Sequence, residues 1–288
     1  MAQARIGIIG GSGLYEMEGL TDVKEVKVKT PFGEPSDLIV IGTLEGRRVA
    51  FLPRHGRGHR IMPTELPSRA NIYALKSLGV EHIIAVSACG SMKEEIHPLD
   101  MVIPDQIFDR TRGRINTFFG DGVVAHISFD EPFCPGLSAL LYQAAKEVGA
   151  RAHKGGTYVI IEGPSFSTKA ESRIYRGWGV DIIGMTVLPE AKLAREAEIC
   201  YAVLANVTDY DVWQVSEEPV SVEMLIDNLV KNAEMAKKII KKAVPHIPEA
   251  RTCPCPTALK NAIITSKDRI PEKAKKDLGL LIGKYLEE

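Results

Sequence analysis

The chain has 288 residues, with 36 Lys and Arg against 37 Asp and Glu and a hydrophobic fraction of 45%. That is enough chain for one large domain or two small ones, and the composition excludes disorder. A formal net charge of −1 supplies no global field to gather nucleic acid or anionic lipid.

From the N-terminus, Arg5-Ile6-Gly7-Ile8-Ile9 reads as a buried strand that breaks at Gly10-Gly11-Ser12-Gly13. Its apolar run is too short for a leader, and no run nears the roughly 18 residues of a spanning helix. A soluble, cytoplasmic protein is the expectation. Val23–Val28, Leu38–Ile41 and Arg48–Leu52 read as strands, with Glu45-Gly46 as a hairpin tip. A helix is predicted over Asn71–Leu78 with Gly79 at its end, then a strand His82–Val86 ending at Ser87-Ala88-Cys89-Gly90. Met101–Pro104 is a short strand, and the stretch from Arg110 to Gly122 is irregular. Leu137–Val148 is helical, Tyr158–Ile161 a strand, and Thr168-Lys169-Ala170-Glu171 a capping box. Asp181–Gly184 is a strand, Pro189–Glu198 a helix with Pro at its first position, and Ile199–Val207 a long buried strand. Ser221 is predicted to cap a helix reaching Ala243, with Leu225, Leu229, Ala233, Ala236 and Ile240 on its apolar face, and a last helix fills Pro271–Leu286. Alternating strands and helices with an early hairpin mean an α/β fold around a mixed sheet.

Five cysteines fit a disulfide framework poorly. Cys89, Cys134 and Cys200 lie in or near apolar segments and read as packing residues. Cys253-Pro254-Cys255 reads as an inert or bridged pair, since no partner stands at zinc-like spacing from it. No metal site is expected.

Four features sit at strand ends, where open α/β sheets bind ligands. Gly10–Gly13 can form an anion nest, although it completes neither a dinucleotide fingerprint nor a P-loop. Pro53-Arg54-His55-Gly56-Arg57-Gly58-His59-Arg60 reads as a flexible anion-binding loop. Ser87–Ser91 offers hydroxyls among small residues that let a ligand approach the backbone. Thr208-Asp209-Tyr210-Asp211 places two carboxylates two residues apart on an extended chain, where burial should raise at least one pKa. Taken singly, each has a plainer alternative: a tight turn, a solvated basic loop, an Asp-rich turn.

Together these stretches resemble the methylthioadenosine phosphorylases, in the trimeric branch of the purine nucleoside phosphorylase superfamily. The match runs in order through Gly10-Gly11-Ser12-Gly13-Leu14, Thr30-Pro31-Phe32-Gly33, Arg54-His55-Gly56, Ile61-Met62-Pro63, Asn71-Ile72-Tyr73-Ala74-Leu75-Lys76, Ala88-Cys89-Gly90-Ser91, Asp109-Arg110-Thr111, Glu131-Pro132-Phe133-Cys134, Glu162-Gly163-Pro164 and Thr208-Asp209-Tyr210-Asp211. It covers residues 5 to 240, and the last 45 or so carry little of it. The resemblance implies a single nucleoside phosphorylase domain over 1–288, with a C-terminal helical segment from about residue 257.

It further implies that Ser12, Arg54, His55, Ser87, Ala88 through its backbone, and Thr186 hold phosphate. Met185 would pack under the ribose, Asp209, Tyr210 and Asp211 would meet the purine, and Ser167 and Val222 match positions that tune substrate choice. His126 matches a residue supplied by a neighbouring subunit, which implies a homotrimer or a dimer of trimers. Asp209 is the expected acid toward purine N7, and inorganic phosphate is the co-substrate, with no metal or organic cofactor. Ser165 departs from the pattern, since Arg is familiar there and Pro164-Ser165-Phe166 is closer to enzymes of 6-oxopurines. A purine nucleoside or methylthioinosine phosphorylase is therefore the alternative. A dinucleotide-binding oxidoreductase and a non-catalytic nucleoside-binding module stand further off.

Overall fold

The computed structural model describes residues 2–11, 14, 16–214 and 222–287, with the backbone alone for 222–226. Ser12, Ser221 and the side chain of Val222, all singled out in the sequence, lie outside the described residues.

Among the described residues eleven strands form one mixed sheet. β1 (Ile6–Gly10) is buried throughout, because β4 (Arg47–Pro53) and β5 (His82–Ser91) flank it in parallel. The hairpin reads as anticipated: β3 (Ile39–Leu44) turns at Glu45-Gly46 into β4, and β2 (Thr21–Val26) lies outside β3. β11 (Cys200–Tyr210) runs parallel to β5 along its whole length. The other edge of β5 is shared. β1 pairs with His82–Ala85, while β10 (Ile182–Gly184) takes Gly90 and Ser91 in antiparallel pairing. Val86–Cys89 thus border a gap between β1 and β10. Beyond β10 come β9 (Thr157–Ile161) and β7 (Gln106–Arg110), while β6 (Met101–Ile103) and β8 (Ala152–Lys154) continue outward from β11.

Helices cover both faces, which makes central strands apolar on both sides. α1 (Ser68–Ser77), α4 (Val187–Glu196) and α6 (Glu272–Leu286) share one core with the sheet through Ile72, Leu75, Leu193, Leu278 and Leu281. α2 (Pro135–Glu147) and α5 (Val222–Ala243) share the other through Leu137, Leu141, Ile239 and Ile240. α3 (Lys169–Gly177) starts at the capping box read from the sequence: Thr168 accepts from the Glu171 amide, and Glu171 reaches back.

Four expectations are corrected. β5 and β11 run on to Ser91 and Tyr210, since each supports the other beyond the apolar stretch. β7 and β8 are short, largely exposed edge strands with no apolar signature. Among the described side chains of α5, Ala236, Ile239, Ile240 and Ala243 are buried, whereas Leu229 is 45% exposed; the side chain of Leu225 lies outside the described residues. Of the two readings of Cys253-Pro254-Cys255, inert or bridged, the bridged one falls, because the five cysteines are free.

Glu196, at the end of α4, is only 5% exposed, and burial pushes its pKa up to about 7, against bonds from the Thr117 hydroxyl (2.6 Å) and Phe118 amide (2.6 Å). The folded state therefore keeps a proton that the unfolded chain has lost. This contribution is complete below the unfolded value near 4.5 and disappears as pH rises through about 7. Glu196→Gln mimics the neutral acid. It is expected to match the parent at pH 4 and to exceed it by about 1–3 kcal/mol at pH 8, read from thermal melts. Equal stability differences at the two pH values would contradict this.

Candidate active site

The gap beside Val86–Cys89 opens into a cavity of about 610 Å³, a volume suited to a small molecule. Its walls are the C-terminal ends of β1, β4, β5, β10 and β11, together with α5. Of the residues singled out in the sequence, Arg54, His55, Ser87, Ala88, Ser167, Met185, Thr186, Asp209 and Asp211 all line it. Tyr210 and His126 do not. Strand alternation sends Tyr210 to the opposite side, where its hydroxyl donates to the Glu94 carbonyl and its ring meets His97 and Trp213. His126 is exposed, its backbone amide held by the Ala262 carbonyl.

The basic stretch is a packed turn rather than a flexible loop. Pro53 to Gly56 are buried, and the amides of Gly56, His59, Arg60 and Ile61 all find carbonyls within it. The Arg54 amide donates to the Gly10 carbonyl (2.8 Å), which fixes the end of β4 against β1. Its side chain is 2% exposed and clamped: Nε and Nη2 donate to Glu190 at 3.0 Å each, and Nη1 to the Val86 carbonyl at 2.8 Å. Tyr201 donates to the same Glu190 carboxylate at 2.7 Å. Of five guanidinium donors, two remain for a ligand.

His55 Nδ1 lies 2.8 Å from the Ile61 carbonyl, which can only accept, so Nδ1 carries the proton. Burial lowers its pKa to about 4, which leaves a neutral ring with Nε2 as an acceptor.

Ser87 and Thr186 bring their hydroxyls 3.0 Å apart, with Tyr158 OH 3.2 Å from Ser87 Oγ. Thr186 precedes α4 without using its side chain as a cap, so its hydroxyl is left for the cavity. Tyr158 also donates to the Ala88 carbonyl (3.3 Å). Since N–H and C=O of one strand residue face the same edge, the Ala88 amide faces the gap as well. Gly184 makes this possible: a Cβ there would lie 2.3 Å from the Tyr158 hydroxyl oxygen.

Across the cavity, a bulge between Val207 and Asp209 shifts the register of β11 on β5. Burial raises the pKa of Asp209, nearby Asp211 raises it further, and a bond with Thr208 opposes both. Thr208 Oγ1 is 2.5 Å from Asp209 Oδ2 and 3.1 Å from the Cys89 carbonyl. A hydroxyl has one proton. It goes to Asp209 Oδ2 or to the Cys89 carbonyl, not to both. Oδ1 of Asp209 packs over Gly90, where an added Cβ would sit 3.2 Å away. Burial raises the pKa of Asp211 too, and its Oδ2 is buried without a partner in the chain.

The sequence reading missed Glu190, Tyr158, Tyr201, Asn206 and Asn232. Asn206 and Asn232 line the cavity, each with a buried Oδ1 that has no protein partner. Asn232 Nδ2 donates to the Val207 carbonyl (2.8 Å) and Asn228 Nδ2 to that of Thr208 (2.9 Å), tying α5 to β11. The one available signal was Asn at the apolar spacing of α5.

The family model of the phosphorylase superfamily matches residues 5–245. The S-methyl-5'-thioadenosine phosphorylase of Geobacter sulfurreducens is 61% identical over 282 residues, covering 98% of this chain and 99% of the relative. That of Koribacter versatilis is 58% identical over 286 residues, covering 99% and 98%. Among solved structures, a methylthioadenosine phosphorylase from an antarctic soil metagenomic library superposes with a TM-score of 0.94 at 53% identity, covering 98% of this chain and 99% of that one.

Proposed function

The chain belongs to the phosphorylase superfamily, and on that premise we propose that its cavity performs the reversible phosphorolysis of 5'-methylthioadenosine to adenine and 5-methylthioribose 1-phosphate. The observation that carries this reading is a buried carboxyl group, Asp209, whose pKa burial raises, lining one cavity together with the hydroxyls of Ser87 and Thr186 and the Arg54 guanidinium.

Breaking the C1'–N9 bond builds positive charge on the ribose and negative charge on the base. Phosphate held beside C1' supplies the incoming oxygen, and a proton at N7 neutralises the leaving purine. The residues proposed for phosphate are Ser87, Thr186, the Ala88 amide, the two unused Arg54 donors and His55, with Ser12 completing them. Neutral His55 would accept from a phosphate O–H, or take a proton as the dianion arrives. Asp209 is the acid toward N7, and the unpartnered Asp211 Oδ2 suits the exocyclic amine of adenine. That pairing favours a 6-aminopurine, because a 6-oxo group has no proton to offer. Met185 would lie under the ribose, while Leu14, Val86, Leu229 and Ala233 give an apolar lining suited to a methylthio group.

The scheme calls on no metal or organic cofactor. A homotrimer, or a dimer of trimers, is part of the reading, with exposed His126 reaching the alkylthio end of a neighbour's cavity and Ser167 and Val222 tuning the substrate. Five free thiols suit a reducing compartment, and the cytoplasm is the proposed location; among the described residues no helix is long and apolar enough to cross a membrane.

The test is a panel of methylthioadenosine, adenosine, methylthioinosine and inosine, each with and without phosphate. Phosphate-dependent release of adenine from methylthioadenosine, at the highest kcat/KM of the four, is expected. Preferential release of hypoxanthine, or release independent of phosphate, would overturn the assignment.

A further inference from the structure

The fold assembles a second site at the opposite end of the sheet from the cavity. Cys134 is the residue before α2, Cys200 opens β11 beside His82 at the start of β5, and Cys253 and Cys255 flank Pro254 in the segment after α5. Their four sulfur atoms all lie within 4.8 Å of one another. Cys134, Cys200 and Cys255 are buried and Cys253 is half-buried. The Cys200 and Cys253 sulfurs are 3.3 Å apart, well outside bonding distance. Cys134 and Cys200 do pack in the core, as read from the sequence, but not apart from each other: three distant stretches of chain converge on one point.

The geometry points to a tetrathiolate site for a single zinc-class cation, formed by Cys134, Cys200, Cys253 and Cys255. Zinc–sulfur bonds of about 2.3 Å in a tetrahedron set the sulfurs about 3.8 Å apart, which the observed cluster reaches by shifts smaller than a bond length. Four thiols lose their protons to solvent as the ion enters, and no oxidant or reductant takes part. A bound tetrathiolate carries excess negative charge, and its surroundings answer it. Cys134 sits at the N-terminal end of α2, where backbone amides face outward. Arg195 lies near Cys255, and His82 near Cys134. His82 is 4% exposed with its Nδ1 unpartnered in the chain, a ring nitrogen that can donate to a ligand sulfur in the tautomer that carries its proton there. The spacing disguised the site: a Cys-x-Cys pair finds its partners 53 and 119 or more residues upstream, brought together only by the sheet. The ion would clamp the C-terminal segment, whose Leu259, Leu278 and Leu281 pack on the main core, to the starts of α2 and β11.

The experiment uses the full-length protein, purified with a thiol reductant and without chelator, then titrated with Zn²⁺ alone and separately with Co²⁺ alone. One equivalent per chain is expected, with the visible absorption of a tetrahedral cobalt thiolate and protection of four of five thiols from alkylation. Chelation is expected to lower the melting temperature by roughly 10 °C. Cys253→Ser and Cys255→Ser should each abolish the cobalt absorption, and Cys89→Ser should keep it. Should a serine variant fail to fold, the metal stoichiometry and thiol count of the parent decide the matter. Four thiols that stay open to alkylation in the presence of zinc, disulfide pairs found by mass spectrometry, or a cobalt spectrum surviving both serine substitutions would overturn the site.

Discussion

Asp209→Asn is expected to lower kcat for methylthioadenosine by about 10²–10⁴ while leaving the fold and the melting temperature nearly unchanged. The carboxamide has the shape of the neutral acid, and it can keep a hydrogen bond with Thr208, now at 2.5 Å from Oδ2. What it lacks is a proton to release. Burial beside Asp211 raises the pKa of Asp209, so the parent holds its catalytic proton to a higher pH than an exposed aspartate. The parent rate should fall on the alkaline side as that proton is lost. The variant, which has no such group, should lose that limb of the profile together with its rate. The two signatures separate acid catalysis from mere crowding of the purine: a variant that binds poorly would show a raised KM with the same alkaline limb. Turnover within about tenfold of the parent, or an unchanged alkaline limb, would remove Asp209 from the role of acid.

The sequence made the fold class legible, because Ile6–Ile9, His82–Val86 and Ile199–Val207 are apolar enough to read as strands buried on both faces, and the Thr168 box and Pro189 mark helix starts. It did not reveal that β5 carries three neighbours. That branching follows from strand lengths settled only in three dimensions, and it is what opens the gap at Val86–Cys89. The site was visible where chemistry-bearing residues cluster locally, as in Ser87–Ser91 and Thr208–Asp211. It was invisible where a residue acts across the sheet. Glu190 stands 136 positions from Arg54, and Asn232 has a buried oxygen that no local pattern announces. Tyr210 shows the opposite error: adjacency to two cavity aspartates placed it at the site, and strand alternation removes it. The cysteines repeat the theme, since their spacing along the chain argues against a site that the topology then builds.

Arg54→Ala is expected to cut kcat/KM for phosphate by about two orders of magnitude or more and, at the same time, to lower stability by about 3–5 kcal/mol. The two effects have separate causes, and a second substitution separates them. The guanidinium and the Glu190 carboxylate form a bidentate pair within the core, with Tyr201 donating to the same carboxylate. Removing Arg54 alone leaves Glu190 charged and desolvated with one neutral partner, which is the costly outcome. Removing both charges with apolar side chains of similar size takes away that penalty, so Arg54→Met with Glu190→Met should regain most of the lost stability. It should not regain phosphate use, because the two donors left over from the clamp are gone in both proteins. Glu190→Gln alone tests positioning: a carboxamide can accept one of the two guanidinium bonds but not both, so the arginine should loosen, with KM for phosphate rising more than kcat falls. Chemical denaturation and phosphate saturation curves on all four proteins read out both axes. If the double variant were as unstable as Arg54→Ala, the desolvation argument would fail. If Arg54→Ala used phosphate as the parent does, the clamp would be structural only, and the anion would have to be held by the hydroxyls of Ser87 and Thr186 with the Ala88 amide.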